Sequence, residues 1–413
     1  MLKSIVIIND NARITGGADK IALTSGLALA QRGYQVHLLT AVGPIDPQFA
    51  GVPNFTVHCT HQYEILCDPS RLRAATQGLW NLKSHQSAVS LFEHLDPKTT
   101  VVHLHLWAKA LSSSVVRAAA ERGFPIACTL HDYLLACPAG TLFDHPRQSI
   151  CHRRPMSLSC VSANCDSRNY ADKLWRVARQ LTQVHLGGLP GALTDVVAIS
   201  ERVINVLRPY LPTTINVHRL SNFVDIDRQD PAPVASNRDF IFTGRLVKEK
   251  GPVLFANAAQ AEDVSAVFLG DGESRQEVLQ VNAKAQISGW LPYHEALGRL
   301  RSGRVMVFPS LWYEAQPLVV LEALAQGVPC IVADTSAASE LITDHETGLL
   351  FRGGDVDDLR AKIRQMQNAS FAERLGLNAY NTYWREPRTL DRHIQGLLGI
   401  YESMLSRSMQ PRL

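Results

Sequence analysis

The chain has 413 residues, 46% of them hydrophobic and 19% charged, with a formal net charge of +3. That length exceeds one ordinary core and calls for two or three domains, while the near-balanced charge argues against nucleic acid as the main partner and leaves any basic function local. No run of about 18 consecutive apolar residues reads as a membrane-spanning helix, and 8 cysteines in so long a chain do not suggest a disulfide scaffold.

In chain order, Met1 to Asp10 holds an apolar run too short for a signal-peptide core, without a small-residue cleavage pattern behind it. It reads as a buried first strand, and the expected location is cytoplasmic. Apolar runs at Ile5–Ile8, Val36–Leu39, Val101–Leu104, Ile126–Leu130 and Val196–Ile199 are separated by longer stretches, the first of them the helical pattern Ala18–Arg32, the rhythm of parallel strands with crossover helices. The polar, proline-bearing stretches Arg208–Thr214 and Asp225–Arg238 place an interdomain connection between about 200 and 238. The rhythm restarts at Phe240–Thr243 and continues through Ala266–Leu269, Val305–Phe308 and Cys330–Ala333, so a second α/β sheet is expected. Beyond Phe371 the pattern is helical, interrupted by Pro387.

The most informative stretch runs from Ser310 to Gly327, with Glu314 and Glu322 around Pro317. Proline at a first helical position and glycine just past the last predict a helix from Pro317 to Gln326, which puts Glu314 in the loop after a strand and Glu322 in the second helical turn. The amides of Leu318 and Val319 then lack intrahelical acceptors and form an anion site at the carboxyl edge of a sheet. Carboxylates repel phosphate, so the glutamates must serve hydroxyl-bearing parts of a ligand, as a nucleotide sugar would offer. Thr243-Gly-Arg245-Leu-Val-Lys-Glu-Lys250-Gly supplies cations at another strand end.

Taken in order, Gly-Arg-Leu-x-x-x-Lys-Gly from Gly244, Leu-Gly-Asp-Gly from Leu269, Ser-Gly-x-Leu from Ser288, and Pro-Ser-x-x-x-Glu-x-x-Pro-x-x-x-Leu-Glu-Ala-x-Ala-x-Gly-x-Pro from Pro309 resemble the retaining nucleotide-sugar glycosyltransferases of family four, the glycosyltransferase group 1. Gly16-Gly17 and Arg32–Thr40 look like that family's first glycine loop and second strand. The resemblance implies an α/β GT-B fold, two Rossmann-like domains facing each other across a cleft with a C-terminal helix crossing back to the first. The expected bounds are 1–210 for the acceptor-side domain, with a cysteine-rich insertion at 133–168, 211–385 for the nucleotide-sugar domain, and 386–413 for the returning helix.

It further implies that Arg245 and Lys250 grip the donor diphosphate, Glu314 positions the donor sugar and Glu322 holds the ribose. Gln316, Pro317, Leu318 and Val319 would offer amides to phosphate or sugar oxygens, Leu291 would flank the base, and Gly16 and Gly17 would approach the diphosphate or the acceptor. His131 matches the family histidine beside the reacting sugar, so the catalytic set is His131, Glu314, Arg245 and Lys250. The partners expected are a UDP- or GDP-sugar and a glycan or lipid-linked acceptor, in bacterial surface polysaccharide or glycolipid assembly, with no cofactor for catalysis. The chain departs from the family at Asp334-Thr-Ser-Ala-Ala-Ser-Glu340, where a glycine pair is usual. Alternatives are a glycoside hydrolase using Glu314 and Glu322, which would need no neighbouring cations, and a non-catalytic nucleotide-sugar-binding protein.

Two features stand apart. Cys137, Cys151, Cys160 and Cys165 lie in a polar stretch without periodicity, and four thiolates suit a structural zinc, with His152 as a substitute ligand. The spacing lacks a Cys-x-x-Cys knuckle, which leaves unligated thiols as the equal alternative. From Asn169 to Thr182, Lys173, Arg176 and Gln180 share one helical face and Leu174, Val177, Ala178 and Leu181 another. That pattern suits either a solvated helix or one lying on an anionic membrane surface, which would make the protein peripheral.

Overall fold

The computed structural model describes residues 1–408. The chain divides into two compact units: residues 1–140, 153–223 and the described residues from 390 onward form the first, and 141–152 with 224–389 form the second. The first unit therefore runs past the expected boundary at 210, because the strand Asn216–Arg219 still pairs in its sheet. Residues 409–413 of the expected C-terminal helix lie outside the described residues.

Elements follow in chain order. In the first unit these are β1 (Ser4–Ile8), α1 (Gly17–Gln31), β2 (Gln35–Thr40), β3 (Phe55–Cys59), α2 (Arg71–Leu79), α3 (Leu82–Phe92), β4 (Thr100–Leu104), α4 (Ser114–Ala120) and β5 (Ile126–Thr129). A short antiparallel hairpin, β6 (Phe143–Asp144) with β7 (Ser149–Ile150), falls in the segment grouped with the second unit. The first unit resumes with α5 (Leu158–Val161), α6 (Tyr170–His185), β8 (Asp195–Ala198), α7 (Glu201–Leu207) and β9 (Asn216–Arg219).

The second unit holds β10 (Asp239–Thr243), α8 (Pro252–Ala261), β11 (Ala266–Leu269), α9 (Arg275–Val281), β12 (Gln286–Ile287), α10 (Tyr293–Arg301) and β13 (Gly303–Phe308). It continues with α11 (Leu318–Gln326), β14 (Cys330–Ala333), β15 (Gly348–Phe351), α12 (Val356–Met366) and α13 (Ala369–Arg385). The chain then returns to the first unit as α14 (Leu390–Ser408), whose Ile394, Leu397 and Tyr401 join the core around Ile5, Leu29 and Val101.

Both large sheets are parallel, which explains why their strands read as unbroken apolar runs: helices cover both faces, and Ile5 to Ile8 are at most 1% exposed. The first sheet has the order β3-β2-β1-β4-β5-β8-β9, with Ile5 opposite Val36 on one side and Val101 on the other. The second has the order β12-β11-β10-β13-β14-β15. In each, the chain builds outward from its first strand and then returns to that strand's other side. The order thus reverses between β1 and β4, and again between β10 and β13, and the loops leaving the carboxyl ends of those strands are where open α/β sheets bind ligands.

Candidate functional site

The loops after β10 and β13 carry the charged residues that the sequence singles out. Lys250 ends a tight turn after β10, and Gly251 follows at φ +69°, where a Cβ would stand 2.1 Å from the Pro309 carbonyl oxygen. Only glycine lets the two loops approach this closely. That approach delivers the Lys250 ammonium onto Glu314 Oε1, and the same oxygen accepts from Trp312 Nε1 at 2.7 Å and from Ser310 Oγ at 3.2 Å. Glu314 is 8% exposed, so this ion pair is largely desolvated, and three donors converge on its Oε1. Lys250 also stands 5.8 Å from the Phe308 ring centroid and 6.0 Å from that of Trp312. Arg245 is exposed on the same loop, and among the described residues no hydrogen bond or ion pair joins it to that cluster.

The helix after β13 begins at Leu318, with Pro317 as its N-cap at φ −79° and ψ 119°. This corrects the expected start by one residue: the extended ψ keeps Pro317 outside the helical turn. No side chain caps this end, so the Leu318 and Val319 amides remain available to an anion, as expected. Gly327 closes the helix in the left-handed conformation at φ 76°. Glu322 lies inside α11, 6% exposed, and its Oε1 accepts from the Tyr293 hydroxyl at 3.1 Å. Burial and the adjacent Glu322 carboxylate push the Tyr293 phenol up, so it stays a donor. Leu291 is half-buried on the loop just before α10, and Gln316 is half-buried beside Pro317. Where the chain departs from the family pattern, Ser336 caps a short turn by accepting from the Ala338 amide at 3.1 Å, and the Ala337 amide donates to the Glu314 carbonyl at 3.2 Å.

In the first unit, Gly16 caps α1 with Gly17 as its first residue, at the end of the loop leaving β1. Buried Asp19 braces this loop by accepting from Asn9 Nδ2 at 2.9 Å and from the Thr15 amide at 3.2 Å. His131 follows β5, half-buried, with His105 Nδ1 2.9 Å from its Nε2. Burial, with His393 nearby, lowers the His131 imidazole to about 3, so the ring is neutral at ordinary pH.

Two further expectations concern the first unit. Lys173, with no exposed surface, stands among Cys137, Cys160 and Cys165 and donates to Cys160 Sγ at 3.6 Å. Burial alone would depress this lysine, but the three sulfurs outweigh that cost and hold it up. Cys151 falls in the segment grouped with the second unit. Among the described residues no group of three or more His, Cys, Asp or Glu side chains is arranged to hold a metal. An ammonium supplies the positive charge there. Nor is the segment devoid of apolar anchors: Tyr133, Leu135, Ala136, Leu142 and Phe143 are buried.

Helix α6 sits the opposite way round from a lipid-facing basic helix. Gln183 accepts from Trp107 Nε1 at 2.9 Å and donates to the Leu134 carbonyl at 3.0 Å, Arg176 pairs with Asp166 at 2.6 Å, and Arg179 donates to the Pro138 carbonyl at 2.9 Å. The polar face is thereby spent internally, whereas Tyr170, Leu174, Leu181 and Val184 are exposed. Sequence reasoning missed Tyr293, Trp312, Ser310, Asp19 and His105. Trp312 and Ser310 lay within the quoted motif, but nothing local marks Tyr293 as the partner of a residue 29 positions away.

Residues 224–382 match the family model for glycosyl transferases group 1. An Escherichia coli relative named UDP-Gal:alpha-D-GlcNAc-diphosphoundecaprenol alpha-1,3-galactosyltransferase is 32% identical over 142 residues, which are 30% of this chain and 36% of that protein. The chain spans only 26% to 36% of the length of this and two further curated relatives. Among solved structures, sucrose-phosphate synthase from Thermosynechococcus elongatus superposes with a TM-score of 0.72 at 15% identity, covering 98% of this chain and 100% of that one. Anabaena Alr3699/HepE, solved in complex with UDP and glucose, gives a TM-score of 0.64 at 15% identity, covering 97% and 100%. These likenesses carry the two Rossmann-like sheets of the GT-B fold.

Proposed function

The second unit is a group 1 glycosyl transferase domain, and on that premise we propose that the chain transfers a sugar from a nucleoside-diphosphate donor to a hydroxyl acceptor with retention of anomeric configuration. The observation that carries this reading is the convergence of Lys250, Glu314 and the uncapped α11 terminus on the two loops that flank the reversal of strand order. The helix amides and dipole, with Lys250 and Arg245, face the diphosphate, whose negative charge grows as the glycosidic bond breaks. Glu314 then accepts from donor-sugar hydroxyls, and Glu322, oriented by Tyr293, accepts from the ribose. Gln316, Pro317, Leu318 and Val319 line the phosphate side and Leu291 the base.

In the first unit, neutral His131 attends the sugar, and Gly16 with Gly17 leaves room for the diphosphate or the acceptor. The departing phosphate oxygen takes the acceptor's proton, so no obligate protein base and no metal enters the step. A hydrolase reading fits poorly: Glu314 Oε1 already accepts from an ammonium and two further donors, the setting of a hydrogen-bond acceptor and not of a general acid.

The donor is a UDP- or GDP-sugar and the acceptor a glycan or a lipid-linked one, in assembly of a surface polysaccharide or glycolipid. The exposed apolar stripe of α6, Tyr170, Leu174, Leu181 and Val184, would lie against the membrane carrying such an acceptor. No helix among the described residues is long and apolar enough to cross a membrane. The test of the enzymatic reading is acceptor-dependent release of nucleoside diphosphate across a donor panel; donor binding without turnover would leave a nucleotide-sugar-binding protein instead.

A further inference from the structure

The histidines of the first unit form a connected row, of which the proposed transfer uses one end. His103, the fourth residue of β4, is fully buried and held at both nitrogens: Nδ1 lies 2.6 Å from the Tyr401 hydroxyl on α14, and Nε2 lies 2.8 Å from Thr129 Oγ1 on β5. Its ring centroid is 4.2 Å from that of His105, whose Nδ1 is 2.9 Å from His131 Nε2. The His105 amide donates to the Ile8 carbonyl at 2.9 Å, which pins the residue at the strand ends where the sheet order reverses. His105 is 2% exposed, and its Nε2 is buried without a hydrogen-bond partner among the described residues. A buried polar nitrogen left unpaired costs stability that an apolar ring of the same size would not.

We propose that His105 is a positioning residue for His131, fixing its ring orientation and tautomer so that His131 presents Nδ1–H as a donor to the bound sugar; the sugar rests on the reading above, the tautomer does not. Both rings are neutral, so one proton lies between His105 Nδ1 and His131 Nε2. Were His131 to supply it, His105 would carry its own proton on Nε2, a buried N–H with no acceptor. If His105 supplies it, Nε2 bears only an unused lone pair, the less costly of the two defects. His131 then keeps its proton on Nδ1. A donor there, and not a base, suits a reaction in which the leaving phosphate takes the acceptor's proton. His103, clamped by Tyr401 and Thr129, backs the His105 ring and holds it in place.

The experiment is a long-range 1H–15N correlation spectrum of the histidine rings in the ligand-free, full-length protein at neutral pH, followed by turnover of two variants. The expected spectrum shows His131 protonated on Nδ1 with Nε2 a hydrogen-bonded acceptor. His105→Asn places an amide donor near the lost Nδ1–H and should preserve both the tautomer and most of the turnover. His105→Phe, which fills the volume but cannot donate, should mix the His131 tautomers and lower kcat between about tenfold and about a hundredfold while KM for the nucleotide sugar stays within about twofold. An Nε2-protonated His131 in the unsubstituted protein overturns the proposal, as does a His105→Phe protein whose His131 spectrum is unchanged. If His105→Phe does not fold, the parent spectrum and the His105→Asn protein decide. Because the spectrum needs no substrate, absence of sugar transfer would refute the enzymatic reading and leave the tautomer assignment standing or falling alone.

Discussion

Acid should destabilise the first unit steeply, because its histidine row is folded neutral. Burial lowers His103 and His131 to about 3 and His393 to about 4, and takes His105 well below its ordinary value. These folded values lie below the unfolded value of about 6.5, so the unfolded chain takes up protons first. The stability is complete above about 6.5 and is lost as the pH falls toward about 3. Between pH 7 and 5.5, each ring that stays neutral in the fold and titrates near 6.5 when unfolded costs about 1 kcal/mol, so the four together cost on the order of 4 to 5 kcal/mol. Asp132 and Asp10 oppose this: burial raises both carboxyls, Asp132 to about 6, so their proton uptake in the native state returns part of the loss. The loss from the row, a few kcal/mol after that return, is a large fraction of the whole stability of many domains. Urea unfolding followed by circular dichroism at the two pH values measures it. His103→Gln should lower stability at both, but shrink the difference between them by about 1 kcal/mol. An unchanged difference would refute the claim that His103 is a buried neutral ring.

Tyr293→Phe removes the donor to Glu322, and nucleotide binding measured calorimetrically should weaken by about 1 kcal/mol, against about 1.5 to 3 kcal/mol for Glu322→Ala; equal affinity in all three proteins would remove Glu322 from the ribose site. Lys250→Ala should lower kcat more than it raises KM, since charge on the leaving diphosphate grows in the transition state; a raised KM with normal kcat would contradict it. Protein purified without chelator should carry far less than one zinc per chain, because Lys173 already lies among three of the thiols. One zinc per chain would restore the four-thiolate site.

The inner strands of both sheets were legible because parallel strands buried on both faces leave unbroken apolar runs, whereas the edge strands β3, β9, β12 and β15 were not read, and Pro317 with Gly327 marked helix α11 to within one residue. Lys250 and Glu314, 64 positions apart, were singled out separately, and the turn at Gly251 that joins them follows from strand order, which local sequence does not encode. The α6 pattern disclosed two faces but not which lay inward. Lys173, Gln180 and Gln183 are buried because loop carbonyls, a tryptophan N–H and sulfurs satisfy them, partners that no helical wheel displays. His105 escaped notice for a similar reason: its meaning lies in His131, 26 residues onward.

The central claim is retaining transfer from a nucleotide sugar, and the anomeric configuration of the product tests it most directly. Incubated with its α-linked donor and a hydroxyl acceptor, the protein should release one nucleoside diphosphate for each new glycosidic bond, and proton NMR of the isolated product should show an α linkage. A β linkage from the α donor, or nucleotide release that yields only free sugar, would contradict the account.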